Sequence, residues 1–280
     1  MPQIRIMADS TCDLPADLVA QHNILVVPTY VQFGTESLAD DGYELTRPGF
    51  YERLARSTVS PTTSAPAVGL TKTAMADALT EVDHIVAITA PERLSSLHNV
   101  FQIARRETDP ARVTLIDGQQ LSMGLGWQVL AAANMAEAGE SPAAIQAYLE
   151  DMQQRSHVWA ALDTLEYLRR SGRVGWAAAK IGGVLQIKPI VHLHQSEVRQ
   201  ARRVRTFNNA FNTLVELAHQ AAPLEHLAVM HTRNPQGAAH LEEVLADIRP
   251  PGKVIMVEAT PVIGVHVGPD GVGLSVVRKG

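Results

Sequence analysis

Largely apolar runs of strand length alternate with amphipathic helical stretches along the first half of the chain. Residues 4–8 and 84–89 are such runs, and this pattern is typical of strands buried on both faces of a sheet. The first half predicts strands at 4–8, 24–33, 84–89 and 113–116, and helices at 50–56, 67–81, 95–107 and 122–138. Strand–helix alternation of this kind predicts a parallel sheet with helices on both faces.

The pattern changes after a helix predicted up to residue 155. Residues 187–194 and 197–204 alternate around Gln195-Ser196, which predicts a hairpin. The second half further predicts strands at 158–162, 227–231 and 254–257, helices at 164–170, 176–182, 207–220 and 235–248, and short strands or loops at 261–266 and 273–277. A hairpin combined with βα units predicts a mixed or antiparallel sheet. We therefore predict two α/β domains, 1–150 and 151–280, with a ligand between them.

Composition narrows the class of protein. The chain has 280 residues, 46% of them hydrophobic and 19% charged, and a net charge of -5. That balance disfavours a general nucleic-acid binder, which would present a basic face. A single cysteine, Cys12, rules out an intrachain disulfide. We expect no signal peptide, no stable insertion in a membrane and a cytoplasmic location.

A polar loop follows the first predicted strand. Ser10 and Asp13 are suited to cap a helix that begins near Pro15. The alternative is a binding role, because ligands of α/β sheets bind beyond the carboxyl ends of strands. Two acidic groups in this loop would repel an anion, so helix capping is the favoured interpretation.

Hydroxyl groups stand at two further places where a helix is predicted to begin. Thr63 and Ser64 belong to a run between Pro61 and Pro66, where the prolines restrict the backbone. Ser95 follows a predicted strand. Both places fit helix capping, and both fit the binding of a carboxylate or phosphate, because a helix N-terminus stabilises an anion by about 0.3–1 kcal/mol.

Histidines supply the remaining candidate chemistry. His266 lies between Gly264 and Gly268, and glycines allow a ligand to approach the backbone closely. It is either structural or a hydrogen-bond donor to an anion. His192 and His194 alternate along a predicted strand and so share a face, but cysteines and carboxylates at zinc-site spacing are missing nearby. We therefore expect no bound metal.

Familiar catalytic motifs are missing from the sequence. It has no Walker loop, no Gly-x-Gly-x-x-Gly after the first strand and no Gly-x-Ser-x-Gly. The hydroxyls and the imidazole thus favour binding of an anionic head group. Two alternatives stay open. One is an acyl- or phosphoryl-transfer enzyme with Ser95 as nucleophile and His266 as general base. The other is a protein-interaction module that uses the basic clusters around Arg173 and Arg205.

Taken in order, these motifs resemble those of the DegV family of bacterial fatty-acid-binding proteins. They extend over nearly the whole chain, at 8–15, 63–66, 94–95, 162–175, 188–190, 204–206 and 264–269. The resemblance implies a long-chain fatty acid such as palmitate buried between two α/β domains. It assigns the carboxylate to Thr63 and Ser95, with His266 beside it. Because the carboxylate loses water on burial, we also expect a hydrogen bond from Ser64. The resemblance implies a lipid-binding protein with no catalytic residue and no cofactor apart from the bound fatty acid.

The same resemblance implies a protein partner. Some members of the family present the bound acid to the ATP-binding subunit of a fatty acid kinase, which forms an acyl phosphate. Ser10, Arg173 and Arg205 are candidates for supporting the site or contacting this partner. The chain departs from the family where many members carry several lysines, since Phe207-Asn208-Asn209 stands there. That departure bears on the kinase partnership more than on the lipid site.

Overall fold

The computed structural model describes residues 3–174, 187–252 and 254–280. The helix predicted at 176–182 lies outside these residues. The elements of the first half are β1 (Ile4–Asp9), α1 (Ala16–Gln21), β2 (Leu25–Val27), β3 (Tyr30–Phe33), β4 (Glu36–Ala39), α2 (Arg47–Arg56), β5 (Thr62–Ser64), α3 (Val68–Glu81), β6 (His84–Thr89), α4 (Leu97–Arg106), β7 (Val113–Asp117) and α5 (Met123–Glu137).

The second half continues the same mixture of helices and strands. Its elements are α6 (Pro142–Arg155), β8 (Ser156–Ala161), α7 (Glu166–Ser171), β9 (Lys188–His194), β10 (Glu197–Val204), α8 (Phe207–Ala221), β11 (Leu224–His231), α9 (Pro235–Val244), β12 (Ile255–Glu258), α10 (Pro261–Val267) and β13 (Val272–Arg278). The predicted domain boundary at residue 150 falls inside α6, and the division into 1–150 and 151–280 stays a prediction.

A four-stranded parallel sheet forms the first core, in the order β2-β1-β6-β7. Ile6, Met7 and Ala8 are all buried, because helices cover both faces of the sheet. α5 packs on one face, where it shares a core with Ile6 and Ala8. Met7 belongs to the core on the other face, with α3 and α4. The predicted parallel α/β arrangement is confirmed.

A small antiparallel sheet, β4-β3-β5, corrects two predictions. The strand expected at 24–33 is two strands in different sheets, because Pro28 lacks the N–H that a continuous strand would need. The loop expected at 57–66 contains strand β5, in which Thr63 pairs with Val31. β5 therefore depends on pairing with a strand 32 residues away, and the sequence around residues 62–64 alone does not predict it.

A six-stranded mixed sheet forms the second core, in the order β10-β9-β8-β13-β11-β12. β11 and β12 are parallel, and the other neighbours are antiparallel. The predicted hairpin is confirmed. Its turn residues Gln195 and Ser196 both have positive φ, 47° and 61°, as a two-residue type I′ turn requires.

Residues 261–266, predicted as a short strand or loop, form most of helix α10 instead. Pro261 stands at its first position, where a missing N–H costs nothing. Val262 and Val265, three residues apart, pack into a buried cluster with Phe50 and Tyr51 of α2. This contact joins the C-terminal part of the chain to the small sheet and its helix. Within the described residues, no helix combines the length and apolar composition needed to cross a bilayer.

The capping role predicted for the first polar loop is wrong. Helix α1 has Pro15 at its N-cap and no side-chain cap. Asp9 instead accepts hydrogen bonds from the backbone N–H groups of Thr11 (2.9 Å) and Ala90 (2.7 Å). Asp13 is fully buried and turns toward Ser122 at the start of α5. The loop thus ties the ends of several strands together.

Candidate functional site

A cavity of about 210 Å³ lies between the carboxyl ends of the parallel strands and one face of the mixed sheet. A single water molecule needs only about 10–15 Å³ of such space, so the cavity is large enough for an extended ligand. The loops after β1, β2, β6 and β7 supply one wall. β8, β9, β10, β11 and β13 supply the other.

The wall formed by the mixed sheet is apolar. Val158 and Ala160 of β8 line the cavity, as do Val191 and Leu193 of β9. Alternate residues of a strand point to opposite faces, so Trp159 between them is directed into the core on the far side of the sheet. The strand pattern therefore produces an apolar lining on one face and a packed core on the other.

Thr63 and His266 meet at the cavity from opposite ends of the sequence. β5 carries Thr63 and α10 carries His266, and Thr63 Oγ1 lies 3.1 Å from His266 Nε2. Burial, reinforced by the positive charge of Arg173, lowers the pKa of His266 to about 4. The imidazole is therefore neutral at pH 7.

The neutral ring has a preferred tautomer. Among the described residues, the buried Nδ1 of His266 has no hydrogen-bond partner. We assign the proton to Nε2, because the other tautomer would leave a buried N–H unpaired. Nε2–H then donates to Thr63 Oγ1, and the hydroxyl proton of Thr63 is free to donate to a ligand.

Ser64 and Ser95 line the same cavity. Ser64 Oγ accepts a hydrogen bond from Gln32 Nε2 at 3.3 Å. Ser95 Oγ accepts one from the backbone N–H of Leu97 at 3.2 Å, at the first residue of α4. Ser95 thus faces the cavity and binds the first N–H of the helix, but the N-cap residue is Ser96 and the helix has no side-chain cap. The hydroxyl hydrogen of each serine can still donate.

Arg173, Arg205 and Ser10, the candidates for supporting the site or contacting a partner, lie in different places. Arg173 lines the cavity and also a smaller neighbouring cavity of about 90 Å³, which it shares with Thr63, His266 and Tyr167. Arg205 follows β10 and is exposed. Ser10 is buried behind the cavity wall, where its Oγ lies 2.6 Å from Thr29 Oγ1.

Sequence reasoning missed several polar residues of the cavity. Thr11, Thr29 and Ser122 line it, and each follows a strand of the parallel sheet. Thr11 Oγ1 donates to Asp9 at 2.5 Å, and Ser122 Oγ donates to Asp13. The signal that would have found them is the position just after a parallel strand, where α/β sheets bind ligands.

Among the described residues, the structure shows no hydrogen bond between Ser95 and His266, the pair considered as nucleophile and general base. His266 Nε2 pairs with Thr63 and Ser95 pairs with the backbone of α4. Elsewhere, His192 and His194 share a face of the mixed sheet. The ring of His194 stacks on that of His157, and His192 Nε2 lies 3.1 Å from His157 Nδ1. In the part of the chain that the structure describes, no three or more histidine, cysteine or carboxylate groups are arranged to hold a metal ion.

Comparison with known proteins identifies the family. A sequence profile described as an uncharacterised protein of the DegV family matches residues 3–279. The chain belongs to the DegV family. A DegV domain-containing protein of Streptomyces coelicolor is 34% identical over 99% of each chain. Another, from Deinococcus radiodurans, is 31% identical over 97% of each chain.

Solved DegV structures have the same fold. A DegV family protein from Thermus thermophilus, described by its fatty acid binding, is 30% identical and aligns with a TM-score of 0.91 over 99% of this chain and 100% of its own. DegV from Bacillus subtilis, described as a fatty acid binding protein, is 27% identical and aligns with a TM-score of 0.89 over the full length of both. The predicted DegV resemblance and fold class are confirmed.

Proposed function

We propose that this protein binds a long-chain fatty acid such as palmitate in the cavity, with its carboxylate among Thr63, Ser64, Ser95 and His266. The observation that carries the proposal is the cavity itself, which pairs an apolar sheet face with the Thr63–His266 hydrogen bond. The fatty acid binding described for two solved DegV relatives supports it. The bound acid is a ligand, and no residue here acts as a nucleophile.

The energetics of the two ends of the ligand favour this arrangement. Each buried methylene contributes about 0.8 kcal/mol, so about a dozen give a gross term near 10 kcal/mol before the costs of binding. The carboxylate loses water and needs donors in return. The hydroxyls of Thr63, Ser64 and Ser95 supply them, and the neutral His266 orients that of Thr63 by donating to its oxygen.

The proposed cellular role is presentation of the bound carboxylate to a kinase partner, which converts it to an acyl phosphate. This step rests on the family resemblance. It is supported by the position of Arg173, which lines both the ligand cavity and the small cavity next to His266. Arg205 is a second candidate contact on the protein surface. A cytoplasmic location belongs to the same proposal, because the phosphorylation step consumes ATP.

Mass spectrometry tests the lipid ligand directly. Protein purified gently and then denatured should release a C14–C18 fatty acid in near-stoichiometric amount. Thr63→Val removes a donor at the cavity and should lower the amount of released lipid. Thr80→Val is the matched control, because Thr80 is exposed on α3 and bonds only its own helix. Lipid-free wild-type protein with no affinity for added palmitate would refute the proposal.

Charge reversal tests the partner role separately from lipid binding. Arg173→Glu and Arg205→Glu are compared in two assays: palmitate binding, and acyl phosphate formation with ATP and a fatty acid kinase subunit. Arg205→Glu should retain palmitate and lose phosphorylation. Full phosphorylation by both variants would contradict the proposed contacts and leave the fatty acid proposal standing.

A further inference from the structure

Helix α10 carries His266 and is held by two buried carboxylates from the first half of the chain. Asp13 Oδ1 accepts a hydrogen bond from the backbone N–H of Thr260 at 2.8 Å. Asp40 Oδ2 accepts one from the backbone N–H of Val262 at 3.3 Å. Both donors belong to the start of α10, so its N–H groups are capped from across the chain rather than by its own sequence.

Each carboxylate is fixed from its other side. Asp13 accepts from Ser122 Oγ at the start of α5, and Asp40 accepts from Ser10 Oγ at 3.3 Å. Asp13 is completely buried and Asp40 is 5% exposed. Burial raises the pKa of both groups, that of Asp40 to about 7. Neither carboxylate is free to shift without breaking contacts on two sides.

The segment before α10 is tied to the same region. The guanidinium of Arg47 donates to the carbonyl of Glu258, and Tyr51 Oη donates to the carbonyl of Ala259 at 3.1 Å. The positive charge of Arg47 lowers the pKa of Asp13 and of Asp40, opposing the effect of burial. Side chains from the first half of the chain thus bind the backbone of residues 258–262, from just before α10 to its first turn.

The other contacts of α10 are less specific. Val262 and Val265 pack against the rings of Phe50 and Tyr51, and apolar contacts tolerate sliding better than directed hydrogen bonds do. The 3.1 Å hydrogen bond between His266 and Thr63 requires a defined position of α10 along its own axis and a defined rotation about that axis. Burying a carboxylate costs free energy of desolvation. Fixing the position of α10 is a function that accounts for the burial of Asp13 and Asp40.

We propose that Asp13 and Asp40 are positioning residues that lock α10 where His266 orients the hydroxyl of Thr63 toward the ligand head group. The inference rests on the proposed fatty acid function and adds to it. Neither aspartate touches the ligand. Their effect is selectivity for an ionised head group, which separates this role from support of the fold.

Head-group selectivity is the measurement that tests the inference. Dissociation constants for palmitate and for hexadecan-1-ol are measured with wild type, Asp13→Ala and Asp40→Ala, because asparagine would keep an oxygen that accepts the same backbone hydrogen bonds. The alcohol has the same chain and no carboxylate. Each variant should bind palmitate about tenfold more weakly, the effect expected for a lost hydrogen bond to a charged group, while its affinity for the alcohol changes less than about twofold.

Two further variants keep the test decisive. Leu241→Ala destabilises the buried core around α9, a different cluster from the one into which α10 packs, and should leave the ratio of the two constants unchanged. Ser10→Ala removes one donor to Asp40 and should give a smaller loss of selectivity even if the aspartate variants do not fold. Loss of affinity for both ligands in equal measure, in every aspartate and Ser10 variant, would overturn the inference. Wild-type protein without preference for palmitate would instead refute the proposed head-group site.

Discussion

Ala160 lies on the apolar wall of the cavity, and enlarging it should shorten the fatty acid that the protein accepts. Its neighbours across the sheet are Gly273 and Val191. A Cβ on Gly273 would already lie 3.4 Å from that of Ala160, so there is no spare room along the sheet. In Ala160→Leu the added carbons therefore enter the cavity.

The size of the effect follows from the carbons exchanged. Leucine adds three carbons to alanine, and they displace about three methylenes of the ligand. At about 0.8 kcal/mol for each methylene, palmitate loses about 2.4 kcal/mol, a roughly 60-fold rise in Kd. Chains shorter by about three carbons should bind with little change, because they do not reach the filled volume.

Displacement of a fluorescent fatty acid by saturated acids from C10 to C18 measures this profile. Val158→Ala is the opposite change on the same strand, because it removes two carbons from the wall and should favour longer chains. A uniform loss of affinity at every chain length in folded Ala160→Leu protein would refute the reasoning, since it would indicate damage to the site rather than filling of the acyl channel.

Three further predictions concern the scaffold. A Cβ on Gly264 would lie 2.5 Å from Phe50 Cε1, so Gly264→Ala should cost about 1–3 kcal/mol of stability in thermal unfolding and weaken palmitate binding; an unchanged melting curve would contradict this packing. Burial lowers the pKa of His266 from 6.5 to about 4. Below pH 6.5 the unfolded chain therefore takes up a proton that the folded chain does not, and wild type should lose stability relative to His266→Gln, by up to about 1.4 kcal/mol per pH unit, down to pH 4. Urea unfolding measures the stability of both proteins, and a difference between them that stays constant from pH 6.5 to pH 4 would refute this prediction. Burial also raises the pKa of Cys12 to about 12, so a thiol reagent should label it only after denaturation, and rapid labelling of native protein would be the contrary result.

The sequence predicted the two large sheets because their strands carry local signals. β1 and β6 are largely apolar runs, and the β9–β10 hairpin has a two-residue turn flanked by alternation. The small sheet has no such signal. β5 is three residues long, and its stability comes from pairing with β3 far back in the chain.

Helix α10 was missed for a different reason. Four of its seven residues are β-branched and one is glycine, a composition that favours strands and turns. Tertiary packing overrides this preference, because Val262 and Val265 fill the cluster beside α2 while buried carboxylates cap the helix. None of those partners is near α10 in sequence.

The candidate site was predicted in part. Thr63, Ser95 and His266 were found from the order of motifs, and the structure brings all three to one cavity. Thr11 was missed because a hydroxyl after a strand also fits helix capping. The hydrogen bond between Thr63 and His266 spans 203 residues, and a single sequence gives no sign of such a contact.

A crystal structure of the protein with palmitate tests the central claim most directly. The carboxylate should lie within hydrogen-bond distance of Thr63 Oγ1 and Ser95 Oγ, and the acyl chain should run along Ala160 and Leu193. A carboxylate placed at the apolar wall, or palmitate bound outside the cavity, would contradict the account.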